Sequence, residues 1–144
     1  MAKLLKDLLN KAYIEALSLD LYNTVNQSTK EEFIQVLNRE NYFDKELKER
    51  IKIISKGFHE SLNIPFEERL EVLDRFAHKY EGITGFVFPE YIGTYGIEFP
   101  SVSLGYIERW TCYSTGEFAI RPFLQQHYKK TTDQMKNWSF HENE

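Results

Sequence analysis

Apolar positions recur every three or four residues along most of the chain, the spacing of a single helical face. Ile14, Leu17, Leu21 and Val25 predict a first amphipathic helix. Ser28-Thr29-Lys30-Glu31 reads as a capping box opening a second, with Phe33, Val36 and Leu37 inward. Asp44 is placed to cap a longer third helix. Its stripe of Leu47, Ile51, Ile54, Phe58 and Leu62 is the clearest amphipathic signal in the chain. Pro65 suits the first turn of a fourth, with Leu70, Leu73 and Phe76 inward. Four Gly and two Pro between 82 and 100 predict a loop, with a short helix after Pro89. Pro100 opens a helix through Leu104, Ile107 and Trp110. Ser114-Thr115-Gly116-Glu117 is a second capping box, and Thr131-Thr132-Asp133-Gln134 opens a last helix ending near Phe140. No segment alternates apolar and polar for long enough to make a strand. The pattern predicts one all-α domain over residues 1–144, built of stacked helix pairs. Such an α-α superhelix has a concave face that serves as a ligand groove.

Composition narrows the function classes. Of 144 residues, 42% are apolar, 28% charged and 15% aromatic, values that suit a folded soluble domain and exclude disorder. A lone Cys112 excludes a disulfide framework and a multi-cysteine metal site. His59-Glu60 lacks a second His four residues on, and His59, His78, His127 and His141 are far apart, so no metal is expected. No apolar run reaches membrane-spanning length, and the charged N-terminus is not a secretory signal. A cytoplasmic, reducing location follows as the expectation. The net charge is −4, with five basic and five acidic residues in 101–144, so the acidity lies in the first hundred residues.

Chemistry concentrates in two places. The third helix carries Lys45, Lys48, Arg50, Lys52 and Lys56 against only Glu46 and Glu49. Such a face holds phosphates, or it is a solvated face with i,i+4 pairing; the residues leave both readings open. The second place is 108–124. Glu117 and Arg121 are four apart and can pair on one face, among Trp110, Tyr113, Phe118 and Phe123. Pro122 kinks that helix. A carboxylate enclosed by rings suits a cationic substrate. Glu117 is equally the N3 residue of its own capping box, a place that needs no catalytic reason.

The run Arg109-Trp110-Thr111, then Glu117-Phe118-Ala119-Ile120-Arg121-Pro122-Phe123-Leu124, closely resembles the DNA alkylation repair family with HEAT-like repeats, in its AlkC branch. Leu5-Lys6-Asp7, Ala12-Tyr13-Ile14-Glu15-Ala16-Leu17 and Glu46-Leu47-Lys48-Glu49-Arg50-Ile51 match as well, so the resemblance spans essentially the whole chain. It implies a HEAT-like solenoid holding alkylated double-stranded DNA in its groove. It implies a glycosylase releasing 3-methyladenine-type bases without metal or organic cofactor. By position, Glu117 is then the carboxylate that stabilises the sugar cation and places a water. Trp110 and Trp138 are candidates for stacking at the lesion, Arg109 and Arg121 for binding substrate or DNA, and Lys48 and Lys52 for phosphates. Family members continue past Glu144 into further repeats with a second acidic residue. The chain is therefore expected to be the N-terminal part of such a protein, incomplete at its C-terminus and prone to self-association there.

Overall fold

The computed structural model describes residues 5–110. Among them lie the helices α1 (Lys11–Thr24), α2 (Gln27–Arg39), α3 (Leu47–Ser61), α4 (Phe66–Ala77), α5 (Val87–Tyr95) and α6 (Pro100–Trp110). Single 3-10 turns occupy Leu5–Leu8, Tyr42–Asp44 and Gly82–Gly85, and no strand occurs among the described residues.

Three element starts differ from the pattern-based expectation, each for a local reason. The cap of α2 is Asn26 rather than Ser28. Its Oδ1 accepts from the Thr29 backbone N–H at 2.9 Å and from Thr29 Oγ1 at 3.0 Å. Asn caps at least as well as Ser, so the helix begins one residue before Ser28. Asp44 does not cap α3. Asn41, in the left-handed region at φ 54°, turns the chain into the 3-10 turn that Asp44 closes, and Glu46 takes the cap position. The segment around Pro89 is helical from Val87 onward. Pro89 sits in the first turn, where N–H groups have no intrahelical acceptor, so its missing donor costs little.

The helices form two rows. In one, α3 packs against α2 and α5; in the other, α4 touches α1 and α6; α1–α2 and α5–α6 contacts join them. Phe58 of α3 is the hub between the rows. Its ring stacks on Phe33 at 5.3 Å and Phe88 at 6.0 Å, and meets the edges of Phe76 and Tyr91 at 6.4 Å. Phe33, Phe58, Leu70, Leu73 and Ile107 are all fully enclosed. Gly57 lets α2 and α3 approach this closely, because a Cβ there would lie 2.8 Å from the Phe33 ring. That contact offsets the roughly 1 kcal/mol that a mid-helix Gly costs.

A candidate nucleic-acid interface on α3 and the end of α6

The α3 face separates its five neighbouring basic residues into different roles. Arg50 points inward and is 6% exposed. Its Nε donates to the Lys45 carbonyl at 2.9 Å, Nη1 to those of Lys6 at 3.0 Å and Leu9 at 3.2 Å, and Nη2 to that of Phe43 at 2.7 Å. Its guanidinium also lies over the Tyr42 and Phe43 rings. Arg50 is thus a tie between the chain's opening turn and α3, not part of a surface patch. Lys56 pairs with Glu40 at 3.3 Å. Lys45, Lys48 and Lys52 form no ion pair among the described residues, and Glu49 does not neutralise them.

Lys48 and Lys52 are one turn apart and line the same cavity of about 320 Å³ between α3 and α5. Leu47, Ile51 and Phe86 supply its apolar wall, and Glu90 its acidic residue. Two like charges at i,i+4 repel, an arrangement that favours a bound anion. The opposite row has the other sign: α4 carries Glu67, Glu68, Glu71 and Asp74 against Arg69 and Arg75. A polyanion therefore meets its less hostile side at α3.

The end of α6 is fixed by a residue that the sequence does not single out. Asp74 of α4 accepts from Trp110 Nε1 at 2.7 Å through Oδ1 and pairs with Arg109 through Oδ2. Arg109 also lies over the Tyr106 ring at 5.3 Å. Trp110 is 2% exposed, packed against Phe88 and Tyr106. The structure therefore places Trp110 in the core, with its indole N–H engaged, while Arg109 lies outside on the same clamp. Asp74 lies 36 residues before Trp110 in the chain, so no local pattern announces it. Asp74→Ala, which orphans the buried indole N–H, is expected to cost about 1–3 kcal/mol in urea unfolding. Asp74→Asn, which keeps an acceptor for Trp110 and loses only the exposed ion pair, is expected to cost under about 1 kcal/mol. Equal losses would assign no special weight to the indole bond.

Glu117, Arg121 and Trp138, together with the C-terminal end expected to self-associate, lie outside the described residues. Among the described residues no group of three His, Cys, Asp or Glu side chains could hold a metal, and no helix is long and apolar enough to cross a membrane.

No family model matches the chain. It is 33% identical over 140 residues to the uncharacterized protein YhaZ of Bacillus subtilis (strain 168), covering 97% of this chain and 39% of YhaZ. Among solved structures, the Pseudomonas fluorescens alkylpurine DNA glycosylase AlkC, bound to DNA containing an abasic site analog, matches with a TM-score of 0.88 at 21% identity. That match covers 96% of this chain and 39% of the AlkC chain. The chain thus spans about two fifths of the length of each and has an AlkC-like, all-α fold.

Proposed function

We propose, from its AlkC-like fold, that this chain belongs to a DNA-repair glycosylase that hydrolyses the N-glycosidic bond of N-alkylated bases of the 3-methyladenine type. The agreement of fold with a DNA glycosylase across nearly the whole chain is the observation that carries the reading. In this reading the helix pairs are HEAT-like repeats and the partner is alkylated double-stranded DNA.

The chemistry asks little of the protein. Alkylation at a ring nitrogen makes the base a cation, so the C1′–N bond breaks with its electron pair going to a base that leaves neutral. The sugar is left as an oxocarbenium ion. Glu117 in its ionised form would stabilise that charge and accept a proton from the water whose oxygen bonds to C1′. Arg121, four residues on, would hold the carboxylate in place, and Trp138 would offer a stacking surface. Arg109, anchored by Asp74, and the lysines of α3 would contact phosphates, which position the duplex without reading its bases. Trp110, being buried, supports this side as packing.

The deciding experiment is release of 3-methyladenine from methylated duplex DNA by the 144-residue chain and by Glu117→Gln. Release by the former and its loss in the latter supports the proposal. DNA binding without release by either supports a non-catalytic binding module. The lysine pair has its own test. Lys48→Glu with Lys52→Glu is expected to weaken duplex binding equally at all sequences. It should also reduce the slope of log K against log salt by about two, one per lost phosphate contact. An unchanged slope would return these lysines to a purely solvated face.

A further inference from the structure

We propose that a second cavity, between the ends of α3, α4 and α5, binds an unpaired nucleotide, its phosphate on Arg69 and His59 and its base against the ring pair of Phe66 and Phe99. This cavity has a volume of about 490 Å³, and His59, Phe66, Arg69, Tyr95, Glu98 and Phe99 are among its lining residues. The inference rests on residues other than Glu117 and does not depend on base excision.

The cationic side is built. Arg69 Nε donates to the Ile64 carbonyl at 2.8 Å and Nη1 meets His59 Nδ1 at 2.8 Å. Because a guanidinium has no acceptor, His59 Nδ1 must accept, which leaves its N–H on Nε2. The His59 ring lies flat on Tyr95, 3.8 Å between centroids and 5° between planes. Burial first, and the Arg69 charge second, hold His59 below its ordinary range against the opposing pull of Glu60, so at neutral pH it is an uncharged donor. No carboxylate pairs with Arg69 among the described residues. The buried Tyr91 hydroxyl makes no well-aligned hydrogen bond. Arg69 approaches it closely enough that a weak hydrogen bond, and then the guanidinium charge, offset part of the rise that burial gives the Tyr91 pKa. Fixed donors around an unneutralised cation call for an anion rich in acceptors.

The aromatic side calls for a flat ring. Phe66 and Phe99 stack at 4.8 Å and 12°, and Phe99 is 46% exposed, an open apolar face beside the arginine. Glu98, exposed next to it, can accept from the exocyclic amine of a base. Phosphate plus base is the ligand that satisfies both sides, and stacking platforms beside a basic track are the recognised way to hold unpaired strands. The track is present. His59 lies seven and eleven residues beyond Lys52 and Lys48, near whole numbers of turns, so all three share one side of α3. The distance from Lys52 to His59 is about 10 Å along the axis at about 1.5 Å per residue.

The test is binding by the 144-residue chain of deoxyadenosine 5′-monophosphate, of deoxyadenosine and of a short single-stranded oligodeoxyadenylate. The oligonucleotide is expected to bind, and Phe99→Ala and Arg69→Gln should each weaken it about tenfold. Phe99 is half exposed, so its variant keeps the fold even if Arg69→Gln, which strips the Ile64 carbonyl of its donor, does not. If the mononucleotide also binds, with the same sensitivity and better than the nucleoside, a free nucleotide suffices. If only the oligonucleotide binds, the site takes a strand. Both results support the proposal. Binding of none of the three, or binding that Phe99→Ala leaves unchanged, overturns it.

Discussion

Glu117→Gln is expected to lower the rate of 3-methyladenine release by about 10²-fold or more, the usual weight of a positioned acid or base in a transition state. The choice of glutamine separates the two roles open to Glu117. Ser114 and Glu117 have the spacing of a capping box in the sequence, and such a box works with Gln as well as Glu, since either amide or carboxylate oxygen accepts from the cap residue's N–H. Substitution by Gln is therefore expected to spare any capping role and to remove only the negative charge and the proton acceptor. A catalytic carboxylate loses its function under that change, while a capping residue loses almost nothing. Methylated duplex should still bind the variant, because the proposed phosphate contacts rest on Arg109, Lys48 and Lys52. Equal release by both proteins would leave Glu117 as a cap, and the glycosylase reading would lose the chemical centre assigned to it here.

Arg50→Met is expected to destabilise the fold by about 3–5 kcal/mol, since each buried carbonyl left without a partner costs about 1–3 kcal/mol. The side chain is almost fully enclosed and satisfies four backbone carbonyls from two separate stretches of chain: Lys6 and Leu9 at the opening turn, and Phe43 and Lys45 at the 3-10 turn before α3. Methionine fills the volume but leaves those carbonyls without their donor. Two of the four keep another donor, the Tyr42 hydroxyl on the Leu9 carbonyl at 2.8 Å and the Leu9 N–H on the Lys6 carbonyl at 3.0 Å, so the loss falls hardest on Phe43 and Lys45. Arg50→Lys should recover little, because a single ammonium cannot reproduce a planar fork serving carbonyls on several sides. In urea unfolding the midpoint should fall with the slope unchanged. Lys48→Met, on the exposed side of the same helix, should change stability by under about 0.5 kcal/mol. Similar losses at both positions would show that Arg50 is not the tie that its geometry describes.

The contrast between those two residues shows where a linear reading of this chain stops. Period 3.6 was enough to place Leu70, Leu73 and Phe76 on the inner side of α4, and Leu104 and Ile107 on that of α6; all are buried. Helix identity is a local matter, set by neighbours three and four residues away, so it can be read without a tertiary fold. Helix starts were less well placed, because Asn26 and Ser28 are both good caps and Asn41 takes a left-handed turn that composition alone does not reveal. Of the candidate site, Lys48 and Lys52 could be picked out by their i,i+4 spacing. Their common cavity could not, since it needs Glu90 of α5 and Phe86 just before it.

From the order of residues alone came an all-α chain, its helical stripes, and the family resemblance through Glu117 and its neighbours. Those features depend on adjacency in the chain. Long-range packing alone set the rest. Arg50 is drawn inward by carbonyls up to 44 residues away, Asp74 clamps Trp110 across 36, and Tyr80 and Lys79 converge on Asp20 across about 60. A buried charge or indole N–H must find a partner wherever the fold supplies one, and only the folded chain brings such partners within bonding distance.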